Sequence, residues 1–318
     1  MGKKRIIIPA AVVLVLAAAW LGISSFLSRA PVLVVEDRVF ESIYGPFRLR
    51  KKQFLLSLGL KRPLRVVRIE ENAGDDVAVF TVESAAENPY CVIFAARYYG
   101  AARRYSQEYP EIPVGVFRGR GQDPGLGDGE GLKIIRTDQK LDLYRAGRLA
   151  ALLVPAPPPP EEGAALPEER VPVILVFQDE YISNDQRDAF KKGLEDEGNQ
   201  SRPRYLIGSS QYQSGMPCDA AVIYGAAPGF SELPGEIPGL LFSWIDPGLT
   251  PRKVKAVFDD SPLALAPELV PLITETGNDG DNNGKILEIP SEIQILSRRL
   301  AEKQLLEKMK SAAGAELP

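Results

Sequence analysis

The chain has 318 residues, 45% of them hydrophobic, which is enough to bury a large core in two lobes or domains. Its formal net charge is −4, so no overall basic field attracts nucleic acid. It contains no histidine, which excludes histidine-based catalytic triads, histidine metal sites and imidazole acid–base chemistry, whereas carboxylate or lysine chemistry stays open.

The N-terminus is strongly apolar. Three basic residues, 3–5, precede an almost unbroken apolar run from Ile6 to Leu27, about the twenty residues needed to cross a bilayer. The basic flank predicts that the N-terminus stays inside and that the rest of the chain is exported. A signal peptide cleaved after residues 28–30 is the alternative, but Pro31 should impede cleavage. We therefore predict that residues 1–30 are a membrane anchor or signal segment, with a single-pass anchor in the inner (cytoplasmic) membrane and a periplasmic bulk favoured.

Apolar runs and helical patterns alternate through the next part of the chain. We predict strands at residues 32–35, 64–69, 77–82, 90–94 and 112–117, and helices at 40–60 and 97–109. Strands separated by helices predict a parallel sheet with helices on both faces. Residues 119–131 are rich in Gly and Asp and predict a surface loop, because their alternating glycines neither match a dinucleotide-binding fingerprint nor open a helix.

The segment from Thr137 to Ala151 is the most informative one in the sequence. A strand-like run at 132–135 ends on polar residues, and a helical pattern follows with small residues such as Gly147 and Ala150 on one face. Small side chains on that face predict a helix that packs closely against a sheet.

A proline-rich, low-complexity stretch at residues 155–169 predicts an extended, solvated insertion. The alternation of strands and helices resumes after it. We predict further strands at 171–177, 204–207, 220–224, 239–245 and 284–289, a helix at 185–197 and a charged, packed C-terminal helix at 297–313.

Several short motifs occur in the order typical of one family. Asp138 and Gln139 follow a strand and lead into a helix with the sequence Gly-Arg-Leu-Ala-Ala at 147–151. Further matches are Ile-Pro-Val-Gly-Val at 112–116, Arg-Asp-Ala-Phe at 187–190 with Gly-Leu at 193–194, Pro-Cys-Asp-Ala-Ala-Val-Ile at 217–223, the strand at 240–246 and Ile-Pro-Ser-Glu-Ile-Gln-Ile-Leu at 289–296. With these motifs, residues 32–299 resemble the type 1 periplasmic binding proteins and the ligand-binding core of lac-repressor-like regulators.

The resemblance implies an α/β fold with two doubly wound parallel-sheet lobes after the N-terminal transmembrane helix. It also implies how the chain is divided. Lobe 1 comprises residues 31–137 and 247–275, lobe 2 comprises residues 138–246 and 284–299, and a C-terminal helix follows at 300–318. In this fold the ligand lies between the lobes, at the carboxyl ends of the strands. The positions that match those ends, which we predict to bind the ligand, are Asp37, Arg38, Phe40, Arg97, Arg118, Asp138, Asp179, Asn184, Trp244 and Asp246.

Two kinds of ligand fit these positions. A sugar would be bound by an aromatic ring against the face of the sugar ring and by carboxylates that accept hydrogen bonds from its hydroxyl groups. Phe40 could supply the ring, and Asp138 and Asp246 the carboxylates. The three arginines of the set would instead bind a carboxylate or phosphate through forked hydrogen bonds. The sequence departs from the sugar-binding pattern at 117–118 and 225–226, which leaves an anionic or unusual ligand open.

We predict a membrane-anchored, extracytoplasmic solute-binding protein that captures a small polar ligand, sugar-like or anionic, by closure of its lobes. The alternative is a degenerate member of the fold that acts as an envelope scaffold or protein-interaction module. The sequence has no nucleophile motif, phosphate loop or metal-ligand cluster, so we expect no enzymatic activity, cofactor or metal. The expected partners are the small ligand, the membrane through the N-terminal helix, and a transporter or envelope protein. No helix-turn-helix precedes the core, so nucleic acid is not an expected partner.

Overall fold

The computed structural model describes residues 4–70, 72–119, 132–154, 172–178, 182–207, 211, 216–224, 236–243, 250–275, 286–300 and 303–318. Within these residues the chain forms two α/β lobes, each built on a six-stranded sheet. The prediction of an α/β protein with two parallel-sheet lobes is therefore confirmed. The proline-rich insertion and the predicted loop beyond residue 119 lie outside the described residues.

Helix α1 (Lys4–Leu27) precedes the first lobe. Its apolar side chains from Leu16 onward are mostly exposed, and none of them joins the hydrophobic clusters that the described residues form. In the described part of the chain, no helix combines the length and the apolar character needed to span a membrane. This finding does not support the predicted transmembrane helix.

The first lobe is a parallel sheet covered by helices on both faces. Its strands, in the spatial order β11-β5-β4-β3-β1-β2, are β1 (Val32–Asp37), β2 (Leu64–Ile69), β3 (Cys91–Ala95), β4 (Val114–Arg118), β5 (Lys133–Thr137) and β11 (Leu287–Ile289). One face carries α2 (Arg38–Tyr44), α3 (Pro46–Gly59) and α8 (Ala266–Thr274), and the other carries α4 (Asp75–Ala85) and α5 (Tyr99–Glu108). The β-branched run that opens β1 is fully buried between these two layers.

The second lobe repeats this plan with one antiparallel edge strand. Its strands, in the order β12-β10-β9-β8-β6-β7, are β6 (Val173–Gln178), β7 (Arg202–Ile207), β8 (Ala220–Tyr224), β9 (Gly239–Phe242), β10 (Val254–Asp259) and β12 (Glu292–Ile295). Strand β12 runs antiparallel to β10. The lobe's helices are α6 (Gln139–Leu153), α7 (Asn184–Asp196) and α9 (Lys303–Ala313). Helix α9 buries Met309 in the same cluster as α6.

Local sequence signals set several helix ends. Gly45 lies between α2 and α3 with φ 86°, a backbone conformation that residues with a Cβ atom rarely adopt. Pro46 then begins α3, where its missing N–H needs no partner. Helix α7 begins with a capping box, in which Ser183 and Gln186 each accept a hydrogen bond from the other's backbone N–H.

The predicted strand at 77–82 is wrong, because these residues belong to helix α4. Its β-branched residues suggest a strand, but burial follows a helical spacing. Ala78, Val79 and Val82 face the core, whereas Val77 and Phe80 are exposed. Two aspartates in the first turn favour the helix by interacting with its dipole.

The chain crosses between the lobes at residue 138, at 260–265 and at 290–291. Residues 247–275 are predicted for the first lobe, but they include β10, which pairs with β9 in the second sheet. Residues 284–299 are predicted for the second lobe, but they include β11, which pairs with β5 in the first sheet. These differences arise because a strand pattern in the sequence does not say which sheet the strand joins.

Helices α6 and α7 cross at two glycines. A Cβ added at Gly147 would overlap the carbonyl oxygen of Phe190, and one added at Gly193 would overlap that of Tyr144. The small-residue face of α6 therefore contacts helix α7 at Gly147, while Leu143 and Ala150 on the same face pack in the core over the second sheet, as the sequence predicts.

Replacing Gly147 with Ala should lower the free energy of unfolding by about 1–3 kcal/mol, the usual cost of inserting a group into a filled contact. Gly59→Ala is the matched control, because a Cβ at this helical glycine meets nothing within 4 Å. It should leave stability unchanged or raise it by about 0.5–1 kcal/mol. Denaturant unfolding followed by circular dichroism measures both changes. Equal stability of the two variants would contradict the close helix contact.

Candidate functional site

Polar side chains collect where the carboxyl edge of the first sheet meets the crossings between the lobes. Strand β1 ends on Glu36 and Asp37, which are both buried. Arg97 follows β3 in a short 3₁₀ helix and forms an ion pair with Asp37. The other carboxylate oxygen of Asp37 accepts a hydrogen bond from Val39 N at 2.8 Å and caps α2. Together with Asp260, these residues form what we call the cleft cluster: Glu36, Asp37, Arg97 and Asp260.

Asp260 is the residue of the cleft cluster that follows a strand of the second lobe. It is the first residue after β10 and is buried. A Cβ added at Gly119 would lie 3.1 Å from Asp260 Oδ2, so this carboxylate lies against the end of β4, next to Arg118. The cluster therefore joins three strand ends of the first sheet to the crossing that leaves the second.

Glu36 is a buried acid within this cluster. Burial raises its pKa, the charges of Asp37 and Asp260 act in the same direction, and a backbone hydrogen bond and Arg97 oppose them. The net result is a pKa of about 8 instead of 4.5. At neutral pH the Glu36 carboxyl group is therefore mostly protonated and can donate a hydrogen bond. The cluster thus presents a donor beside carboxylate acceptors, an arrangement suited to hydroxyl groups.

A second polar cluster ties the lobes together at the same crossing. Asp259, at the end of β10, is fully buried, and its Oδ2 accepts hydrogen bonds from Tyr44 OH at 3.1 Å and Arg48 Nη2 at 3.0 Å. Arg48 also donates to Gln294 Oε1 on β12 at 2.9 Å and lies 4.2 Å from the centre of the Tyr44 ring. Burial raises the pKa of Asp259, and Arg48 opposes that rise. We call Tyr44, Arg48, Asp259 and Gln294 the lobe tie.

The other two crossings are hydrogen-bonded to their surroundings. The Asp138 backbone N–H donates to the Ile289 carbonyl at 2.7 Å, which joins the first crossing to the end of β11. Buried Asp142 on α6 accepts hydrogen bonds from Ser291 N at 2.9 Å and Ser291 Oγ at 2.5 Å. The crossings are therefore ordered by direct contacts, as expected of polar groups held inside a protein.

The structure brings part of the predicted site together. Asp37 and Arg97 are in contact, and Arg118 ends the neighbouring strand β4. Asp138 lies at the first crossing, where its side chain caps α6 by accepting a hydrogen bond from Leu141 N at 2.9 Å.

Other predicted residues lie elsewhere. Phe40 is 2% exposed, and its ring centre lies 4.9 Å from that of Tyr44, so the expected aromatic platform is instead a core residue that the helical spacing of α2 turns inward. Arg38 pairs with Glu70 at 2.5 Å on the surface and lines an open cavity of about 510 Å³. Asn184 is exposed at the start of α7. Three predicted residues lie outside the described residues: Asp179, Trp244 and Asp246.

The set of ligand-binding residues predicted from the sequence omits Glu36, Asp260 and the lobe tie. The signal for Asp259 and Asp260 is present, because both follow an apolar run that forms a strand. It is weak, since lysines at 253 and 255 interrupt the run. Tyr44 and Arg48 carry no such signal, because their role depends on contacts with residues more than two hundred positions away.

No family model and no curated protein matches the sequence. Among solved structures, the solute-binding protein of an ABC transporter system from Conexibacter woesei superposes with a TM-score of 0.56 at 11% identity, covering 91% of this chain and 99% of that one. The chain is also similar to a LacI-family repressor from Corynebacterium glutamicum, with a TM-score of 0.45, 13% identity and coverages of 84% and 97%. A periplasmic solute-binding protein from Actinobacillus succinogenes with bound D-allose has a TM-score of 0.48, 11% identity and coverages of 85% and 99%.

The chain therefore has the fold shared by type 1 periplasmic binding proteins and LacI-family ligand-binding cores, and the predicted resemblance is confirmed. The superposition on the Conexibacter protein carries this conclusion. At 11% identity it establishes the fold and leaves the ligand open.

Replacing Glu36 with Gln should remove a pH dependence of stability. Because the folded pKa is raised to about 8 from 4.5, the folded protein binds more protons than the unfolded chain between these values. The wild-type free energy of unfolding should therefore fall as pH rises through this window. The Glu36→Gln protein should lack this pH-dependent contribution to stability. The melting temperature of the variant minus that of the wild type should therefore increase from pH 5 to pH 9.

Glu70→Gln is the control for this measurement, because Glu70 is an exposed glutamate at the end of the neighbouring strand. Its melting temperature relative to wild type should change little over the same pH range. A difference between Glu36→Gln and wild type that does not change with pH would contradict a protonated Glu36.

Proposed function

We propose that this protein binds a small polar solute between its two lobes and has no enzymatic activity. The observation that carries the proposal is the cleft cluster, in which three buried acidic residues and the more exposed Arg97 lie at the carboxyl edge of one sheet and the crossing from the other. In open parallel sheets this edge is where ligands bind. Glu36 is a buried residue with a strongly raised pKa beside charged neighbours, and residues of this kind are candidates for functional sites.

We infer a neutral, hydroxyl-bearing ligand rather than an anion. Two of the three arginines in the predicted site already face carboxylates, Arg97 with Asp37 and Arg38 with Glu70, which reduces the positive charge available to an anion. Protonated Glu36 adds a donor, and the aspartates of the cluster add acceptors. A sugar-like molecule matches this mixture of donors and acceptors.

An envelope scaffold or protein-interaction module is the second candidate function. The Asp37–Arg97 pair and the lobe tie favour it, because they satisfy polar groups of the cleft and the lobes without a ligand. The two candidates differ in one measurable property, since only the first predicts stabilisation by a small solute.

We also propose that the chain is tethered to the inner membrane with its lobes outside the cytoplasm, and that a transporter or envelope protein is its partner. The apolar run at residues 6–27 and the basic residues before it support the tether. Alkaline washing of membranes that carry the full chain tests it. A tethered chain stays in the membrane pellet, and release into the wash contradicts the tether.

A panel of sugars, nucleosides and small carboxylates, screened by thermal shift on residues 31–318, tests solute binding. A true ligand at a hundred times its Kd should stabilise the protein by about 2.7 kcal/mol and raise its Tm. Arg97→Met should weaken binding about tenfold or more, the scale of a lost charge-assisted contact.

Arg104→Met is the control. Like Arg97, Arg104 forms ion pairs with acidic side chains, but its partners, Asp76 and Glu108, lie on the outer surface of α4 and α5. Its affinity should equal that of wild type. A panel in which no compound raises the Tm would contradict solute binding and favour the scaffold.

A further inference from the structure

Helix α3 presents an apolar face to solvent instead of to the core. The side chains of Phe47, Phe54, Leu55 and Leu58 are between 52% and 80% exposed. Phe54, Leu55 and Leu58 follow Phe47 by seven, eight and eleven residues, a spacing that places all four side chains on one side of a helix. The opposite side of α3 is anchored by buried Leu49.

Basic residues are interleaved with this apolar face. Arg50 and Lys51 follow Phe47 by three and four residues and are exposed on the same side. We call Phe47, Arg50, Lys51, Phe54, Leu55 and Leu58 the α3 face. A contiguous exposed apolar surface of this kind marks an interaction site.

The C-terminal end of α3 adds a further basic residue at an unusual position. Lys61 has φ 54°, a left-handed conformation that glycine normally occupies after a helix. Arg62 N donates to the Ser57 carbonyl at 3.1 Å and closes the helix end around it. An exposed lysine therefore stands where glycine would be less strained, which extends the positive charge of the α3 face.

The segment that follows α3 is hydrogen-bonded to the segment that follows helix α1. Arg29 Nη1 donates to the Lys61 carbonyl at 2.8 Å, and Arg29 lies two residues after the end of α1. The C-terminal end of α1 therefore lies near the C-terminal end of α3.

We propose that the α3 face docks onto the surface of an anionic lipid bilayer. Apolar and aromatic side chains beside arginine and lysine are the composition of helices that lie in the membrane interface, where rings enter the acyl boundary and cations meet phosphates. The long stems of Arg50 and Lys51 let their charges reach the headgroups while the apolar side chains insert.

A second copy of the chain is a poorer occupant of this face. In a two-fold symmetric interface the same patch lies on both sides, so Arg50 and Lys51 of each copy would approach those of the other. Like charges brought together in an interface are costly. An anionic surface matches the same residues favourably.

Residues 31–318 are suitable for the test because every hydrophobic cluster of the described residues begins at Val32 or later. Removing α1 therefore leaves these cores complete, and circular dichroism verifies the fold of each variant. Co-sedimentation is measured with vesicles of phosphatidylcholine alone and with vesicles in which a third of that lipid is replaced by phosphatidylglycerol. Binding to the anionic vesicles, and weaker binding to the neutral ones, is expected.

Two double variants separate the contributions of the face. Phe47→Ser with Phe54→Ser, and Arg50→Glu with Lys51→Glu, should each lower the partition coefficient on anionic vesicles about tenfold or more. The matched control is Phe80→Ser, because Phe80 is equally exposed but lies on α4, on the opposite face of the sheet. It should bind as wild type does.

Lys61→Gly provides a variant that does not endanger folding. It should raise the melting temperature by relieving the left-handed lysine, and it should lower binding to anionic vesicles. Absence of wild-type binding to anionic vesicles, or an equal loss in Phe80→Ser, would overturn the proposal. A dimer that dissociates in the Phe47→Ser, Phe54→Ser variant, without vesicle binding, would assign the face to a second copy instead.

Discussion

Asp259 is a carboxylate buried where the chain leaves the second lobe, and two of its hydrogen bonds come from the first. Burying a charge costs several kcal/mol unless partners and hydrogen bonds compensate for it. Here Tyr44 and Arg48 compensate only if α2 and α3 stand in one position relative to β10. The mutual placement of the two sheets, and with it the position of the cleft cluster, depends on this contact. Asp259 directly precedes the crossing at 260–265, so this contact lies where the chain passes from one lobe to the other.

Much of the fold follows from local patterns in the sequence. The alternation of strands and helices, the crossing after β5 and the small-residue face of α6 all come from short-range spacing. The predictions of secondary structure and of lobe membership are wrong where tertiary contacts override these local patterns. Helix α4 has strand-like residues but helical burial, and β11 joins the first sheet although β12 follows two residues later in the second.

The candidate site was predictable where it depends on strand ends and not where it depends on distant contacts. Asp37 and Arg97 follow apolar runs, so their meeting at one sheet edge could be expected. Phe40 also follows β1, yet the helix that begins at residue 38 turns it into the core. The raised pKa of Glu36 arises first from burial, and then from neighbours that include Asp260, which the chain reaches only after completing most of the second lobe.

The interleaving of the lobes has a consequence for the order of synthesis. Helix α8 and strand β11 complete the first lobe, but the ribosome makes them after nearly all of the second. Until then, the apolar side chains of β1, β3 and α2 that share a hydrophobic cluster with α8 lack that cover. A nascent chain ending anywhere before residue 266 therefore exposes a core surface, which favours association with chaperones or with other unfinished chains. The second lobe in turn is completed by β12 and α9, which follow β11, so neither lobe is complete until the chain has passed through the other.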